Sequence, residues 1–133
     1  MLRIGFLPSD FNPMLLMLGE AEDFRALAGV LRYFARDPIG TRIDRLGFCR
    51  PGGTRLTLAL AGGTQGVMRN RSDPDDVLWC LDAATAQGFA DLVEGLAHPS
   101  RVAGAEFLAC GIEEEIPVKI SRGEYTDDFL TGA

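Results

Sequence analysis

The sequence has few of the residues on which most catalytic and metal sites depend. His98 is the only imidazole and Lys119 the only lysine among 133 residues. The three cysteines, Cys49, Cys80 and Cys110, are odd in number and widely spaced, with no Cys-x-x-Cys or Cys/His pair. This spacing indicates neither a disulfide framework nor a zinc site. We expect reduced, buried thiols, because free cysteines usually behave as small core residues.

The motifs of common enzyme classes are also missing. No Gly-x-Ser-x-Gly nucleophile motif occurs, and Gly52-Gly53 and Gly62-Gly63 lack the following helix and lysine of a phosphate-binding loop. The acidic run Glu113–Glu115 lacks the spacing of a calcium loop. The sequence therefore predicts no catalytic residues, no bound metal and no cofactor.

A long apolar run is the third feature that the chain lacks. Met14–Leu18 is far too short to cross a bilayer, and Ser9–Pro13 interrupts the apolar N-terminal segment before a secretory leader is complete. A hydrophobic content of 47% with 24% charged residues is ordinary for a soluble globule. We expect a single cytoplasmic domain over residues 1–133.

The stretch Asp76–Ala97 carries the clearest local pattern. Val77–Leu81 is a short continuous apolar run, which favours a strand buried on both faces. Asp82 follows at the position of a helix N-cap. The apolar residues behind it recur at steps of three and four and so share one helical face: Ala86, Phe89, Ala90, Val93, Leu96 and Ala97. We expect Trp79 and Phe89 to be buried.

A similar unit occupies the N-terminal half. Strand Met14–Leu18 precedes a predicted helix near Glu20–Ala35, and a shift of 62 residues lays Leu15 on Val77 and Leu27 on Phe89. Further strands are predicted in each half at Ile43–Phe48, Arg55–Ala61, Ala105–Cys110 and Ile116–Ser121.

The pattern predicts two strand–helix–strand–strand halves, residues 14–61 and 76–122, although apolar patterns of this kind also match by chance. The expected fold class is α+β, with a mainly antiparallel sheet and two principal helices packed on one face. Gly62-Gly63 has the composition of a two-residue hairpin turn, which would place Leu58 opposite Val67. The other face of that hairpin would carry Arg55, Thr57, Met68 and Asn70.

Charge is strongly polarised along the chain. The net charge of −6 argues against general binding to nucleic acids or to anionic membranes. Residues 106–128 hold seven acidic residues against Lys119 and Arg122, a balance of −5. Residues 41–71 hold six arginines against Asp44 alone, a balance of +5: Arg42, Arg45, Arg50, Arg55, Arg69 and Arg71. Guanidinium groups on adjoining strands suit recognition of carboxylate or phosphate, although arginine is also the default basic residue of this chain.

The C-terminal part supports one family comparison. An apolar strand runs into Ser121-Arg122-Gly123-Glu124-Tyr125, after a strand–helix–strand unit that contains Trp79. Over residues 77–129 this arrangement resembles the small α+β immunity proteins of bacterial polymorphic-toxin systems. The resemblance implies a non-enzymatic, stoichiometric inhibitor whose acidic surface engages a toxin.

These observations predict a non-catalytic protein-binding module of a bacterial cytoplasm, whose partner is another protein or a second copy. The separated basic and acidic segments suit head-to-tail or self-complementary contact. The candidate partner-binding residues are the six arginines together with Glu124, Tyr125, Asp127 and Asp128. The alternative is a small enzyme or ligand-binding domain with a pocket between sheet and helices, lined by Asp10, Arg42 or Glu124.

Overall fold

A computed structural model describes residues 1–7 and 13–123. Within these ranges the chain forms eight strands, two α-helices and one 3-10 helix, Ile43–Arg45. The strands and α-helices follow in the order β1 (Arg3–Leu7), β2 (Met14–Leu18), α1 (Ala21–Arg36), β3 (Thr41–Arg42), β4 (Arg55–Leu60), β5 (Gly66–Asn70), β6 (Asp73–Leu81), α2 (Ala83–Leu96), β7 (Gly104–Leu108) and β8 (Val118–Arg122).

The strands form two four-stranded sheets, and the helices pack against them. The first sheet has the order β1-β2-β8-β7 and the second has the order β3-β4-β6-β5. In each sheet the central pair is parallel and the two outer pairs are antiparallel. The prediction of an α+β fold with two principal helices is confirmed, although the strands divide between two sheets instead of sharing one.

The 62-residue repeat is visible in the pairing of the central strands. Leu15 of β2 pairs with Val118 of β8, and Met17 pairs with Ile120. The same shift carries these pairs onto Val77 with Leu56 and Trp79 with Leu58, which are the observed partners of β6 and β4. Each half therefore contributes its last two strands, β3 with β4 or β7 with β8, to the sheet that contains the first strand of the other half. Neither half holds a complete sheet.

The predicted strand Ile43–Phe48 is wrong. The chain forms the short 3-10 helix there, with amide-to-carbonyl bonds from Leu46 to Ile43 and from Cys49 to Leu46. The carboxylate of Asp44 takes hydrogen bonds from Arg42 and from the backbone amide of Leu56. An aspartate that bonds nearby groups in this way competes with the hydrogen bonds of a strand.

The predicted hairpin across Gly62-Gly63 is also wrong. β4 and β5 are not neighbours, because β6 lies between them and pairs with both. Leu58 and Val67 are each opposite Trp79 instead of opposite one another. The Gly62-Gly63 segment thus carries the chain past the end of β6, where Ala61 donates its amide proton to the carbonyl oxygen of Leu81.

Local signals in the sequence fix where the two helices begin. Glu20 and Asp23 form a capping box at the start of α1, with each side chain bonded to the backbone of the other residue. The carboxylate of Asp82 accepts the amide proton of Thr85 at 2.7 Å, which makes Asp82 the N-cap of α2 as predicted. Because Glu20 and Asp82 are 62 residues apart, the caps obey the same repeat as the strands.

The core lies where the two helices meet the inner faces of the sheets. Trp79 is fully buried and stacks on Phe89, with 5.9 Å between ring centroids. The predicted burial of Trp79 and Phe89 is confirmed, and Met17 and Leu27, their counterparts in the other half, are also fully buried. On the surface Arg32 of α1 joins the helices through ion pairs with Asp91 and Glu94 of α2.

Trp79 supplies a test of this core. Truncation to alanine removes a large buried ring and its stacking on Phe89, so Trp79→Ala should lower the free energy of unfolding by about 3–5 kcal/mol. The indole Nε1 has no hydrogen-bond partner in the described part of the chain. Trp79→Phe therefore gives up no hydrogen bond and should cost less than half as much, as measured by urea unfolding. Equal losses for the two variants would contradict this account.

Candidate functional site

Cross-strand register places a small set of side chains together on the solvent side of the second sheet. Thr57 of β4 is paired with Leu78 of β6, and Leu78 with Met68 of β5. Partners in register share one face, and the alternate residues Leu58, Trp79 and Val67 point into the core. We call the solvent side the outer face; its residues are Arg42, Arg55, Thr57, Met68, Asp76 and Leu78.

The outer face is open at its centre. Leu78 is 37% exposed, whereas Leu16, its counterpart 62 residues earlier on the first sheet, is only 2% exposed. A shallow cavity of about 320 Å³ lies over Leu78 and is bounded by residues of β4, β5 and β6. The prediction that Val77–Leu81 is buried on both faces is therefore wrong at Leu78, because nothing in this sheet covers the side chain there.

Arg42 is held in place at one side of the outer face. Its guanidinium forms a two-point contact with Asp44, with distances of 2.8 Å and 2.7 Å. The pKa of Arg42 is raised mainly by this hydrogen bonding and, to a smaller extent, by attraction to Asp44 and Asp76. Burial raises the pKa of Asp44, but the hydrogen bonds from Arg42 and the Leu56 amide outweigh burial and leave it lowered.

The remaining charges of the outer face are also compensated locally. Arg55 forms an ion pair with Asp73 at the start of β6. The carboxylate of Asp76 accepts a hydrogen bond from the side-chain amide of Asn70 at 3.2 Å. Arg55 and Asp76 are themselves partners in register on the two central strands. The surface thus combines an apolar centre with positive and negative groups in nearly equal number.

The structure brings two of the six predicted arginines, Arg42 and Arg55, to one surface. Arg69 projects to the opposite side of its sheet, where its guanidinium carbon lies 4.4 Å from the centroid of the Phe6 ring. The other three are exposed at separate places: Arg45 in the 3-10 helix, Arg50 before β4 and Arg71 in the turn between β5 and β6.

Glu124, Tyr125, Asp127 and Asp128 fall outside the described residues, and so does Asp10. Of the groups proposed for a ligand pocket between sheet and helices, this leaves Arg42, whose guanidinium is already engaged by Asp44. A cavity of about 400 Å³ beside α1 is lined by Ala26, Gly29, Val30, Tyr33, Phe34, Thr41 and Leu46, none of which is charged.

The described residues offer little chemistry of other kinds. No group of three or more His, Cys, Asp or Glu within residues 1–7 and 13–123 is placed to hold a metal ion. His98 is exposed after α2, and its Nδ1 lies 2.7 Å from the hydroxyl of Ser100. Burial raises the pKa of Cys80, and burial with nearby carboxylates raises the pKa of Cys49 and of Cys110 to about 11.

Neither α1 nor α2, the two α-helices in the described part of the chain, is long and apolar enough to span a membrane. Compared with protein-family models, with curated protein sequences and with solved structures, the chain shows no match. Arguments about function therefore depend on the geometry of this chain.

Sequence reasoning found part of the outer face and missed its centre. The alternation of Arg55, Thr57 and Met68 correctly predicts that they share one face, although the predicted hairpin between their strands does not exist. The alternation is preserved because every strand has a period of two, whichever neighbour it pairs with. Leu78 was missed because an unbroken apolar run gives no sign of which side chains remain uncovered.

Asp44 provides a test of how Arg42 is held. Asp44→Asn weakens hydrogen bonds to a charged group and should cost about 1–3 kcal/mol of stability at pH 7. Because the folded state lowers the pKa of Asp44, its contribution is present above the unfolded pKa of about 3.9 and is lost as the pH falls through the folded value. In urea unfolding, the gap between wild type and variant should therefore close below pH 4. Asp75→Asn, at an exposed carboxylate, is the control, and a gap that persists at low pH would contradict the assignment.

The thiols provide a second test. At pH 8 a thiol with a pKa of about 11 is almost wholly protonated, and only the thiolate reacts with disulfide reagents. Cys49 and Cys110 in the native protein should react on the order of 100-fold more slowly than in the urea-unfolded chain. Single Cys→Ser variants assign the rates, and a native thiol that reacts as fast as in the unfolded chain at pH 8 would contradict this expectation.

Proposed function

We propose that the protein is a non-catalytic protein-binding module that works through the outer face of its second sheet. The observation that carries this proposal is the exposure of Leu78 at the centre of a four-stranded sheet. A leucine flanked by Met68 and Thr57 and bordered by Arg42 and Arg55 has the composition of an interface, which is an apolar centre with a polar rim.

Features of the rim favour a macromolecular partner over a small substrate. The cavity above Leu78 is shallow and is bounded by side chains of a sheet surface instead of being enclosed. Small-molecule sites usually bury most of their ligand in a concave pocket. The charged groups here are held by their neighbours, as in the Arg42–Asp44 contact, so they are arranged before a partner arrives.

Within this class we propose an immunity-type inhibitor of a bacterial cytoplasm as the biological setting. This part of the proposal is supported by the resemblance over residues 77–129 and by the acidic tail residues Glu124, Asp127 and Asp128. A toxin gene next to the gene for this protein, and rescue of growth when the two are expressed together, would support it. Growth arrest that co-expression leaves unchanged would count against it.

Two leucines of similar exposure give a matched experiment. Leu78→Glu places a charge in the centre of the outer face, and Leu92→Glu does the same on α2, where the leucine is 43% exposed. Association with a protein partner, measured by pull-down and then by titration calorimetry, should fall at least about tenfold for Leu78→Glu and stay unchanged for Leu92→Glu. Equal binding by both variants would show that the outer face is not the binding surface.

A further inference from the structure

We infer that the outer face binds a second copy of this chain, sheet against sheet, about a two-fold axis parallel to the strands. The inference depends on the proposed function, since it names the partner of the same surface. Its basis is the order in which charged and apolar residues are placed across β3, β4, β6 and β5.

The charges of the outer face are complementary to themselves. Arg55 and Asp76 are partners in register on β4 and β6, the two central strands. A two-fold axis that runs between these strands exchanges their positions, so β4 of one copy lies over β6 of the other. Arg55 then faces Asp76 of the second copy, and Asp76 faces Arg55. One contact generates the other by symmetry, as an isologous interface requires.

The apolar centre follows the same operation. Thr57 and Leu78 are also partners in register, so the axis lays Leu78 of each copy over Thr57 of the other. Arg42 on β3 and Met68 on β5 stand at the two ends of this row of residues. Arg42 of each copy would therefore lie over Met68 of the other copy. The aliphatic stem of an arginine packs well on such apolar surface while its guanidinium stays at the rim.

The balance of charge favours a like copy over a strongly charged partner. Two guanidinium groups, Arg42 and Arg55, stand beside three carboxylates, Asp44, Asp73 and Asp76, so this surface carries a net charge of only about −1 in a chain of net charge −6. A nucleic acid would require an excess of positive charge. Two chains of like net charge approach more easily where that charge is locally cancelled.

Pseudo-symmetry explains why association would stop at two copies. The corresponding surface of the first sheet is closed at its centre, since Leu16 is buried where Leu78 is exposed. A contact that uses the same face on both copies occupies that face in each of them, so it gives a closed dimer and no filament.

The dimer should be weak. The four strands contain 22 residues in all. At about 3.3 Å per residue and about 4.8 Å between strands they cover about 350 Å² on each copy. Stable complexes usually bury about 800 Å² on each partner. We therefore expect a dissociation constant in the micromolar range, on the order of 10–100 µM, and weaker association at high salt because the Arg55–Asp76 pairs lie near solvent.

Charge exchange provides the experiment. Sedimentation equilibrium of the full chain, from about 1 µM to about 1 mM, should show a monomer–dimer equilibrium. Arg55→Glu sets a new carboxylate against Asp76 of an identical copy, and Asp76→Arg sets a new guanidinium against Arg55. Each variant alone should dimerise at least about tenfold more weakly.

An equimolar mixture of the two restores opposite charges at one of the two symmetry-related contacts, where the substituted side chains meet each other, and keeps the native pair at the other. The mixture should therefore recover dimerisation to within about threefold of wild type.

Recovery in the mixture separates a specific interface from a loss of folding, because two misfolded variants would not rescue each other. A wild type that stays monomeric over the whole range, or a dimer unaffected by the charge reversals, overturns this inference. Partner binding that is lost in Leu78→Glu and kept in Leu92→Glu would then leave the proposed function standing with a different protein as partner. If Leu78→Glu also changes no binding, the proposed function fails as well.

Discussion

The parallel pairing at the centre of each sheet is the constraint on which the rest of the structure depends. β2 with β8 and β4 with β6 each join one strand from either half of the chain. A parallel pair cannot be closed by a tight turn and requires a longer connection. Both helices lie on the long connection from β2 to β8, whereas β4 reaches β6 through β5, the edge strand of the same sheet. Because each sheet is completed by the other half, the two halves are stabilised together.

This exchange also determines which surfaces are available for function. The inner faces of both sheets are occupied by the helices and by residues such as Trp79 and Ile120, so the sheets of the described part of the chain offer their outer faces and edges to partners. The equivalent outer faces differ, since Leu16 is covered and Leu78 is not. The internal repeat makes the comparison of Leu16 with Leu78 informative, because the two leucines occupy equivalent positions but have different environments. The difference supports the proposal that the outer face of the second sheet is a binding surface.

The charged residues around Leu78 are held in place by neighbouring groups, which suits the proposed role in recognition. Arg42 is fixed by Asp44, and Arg55 lies between Asp73 and its register partner Asp76. Such groups contribute little to stability when exposed, but their positions select partners with matching charge. The arrangement supports recognition of a protein surface better than it supports chemistry on a small molecule.

The helices, their N-cap at Asp82, the buried Trp79 and the 62-residue repeat could be predicted from sequence, because capping and hydrophobic periodicity are local properties. The alternation of Thr57 and Met68 with buried neighbours could also be predicted, since the period of a strand does not depend on its partner. Strand order could not, because any apolar strand can pair with any other, and Gly62-Gly63 suits a turn whether or not its flanking strands meet. The exposure of Leu78 was decided only in the tertiary structure. Burial depends on which other elements pack over a face, and the residues of one strand do not predict those contacts.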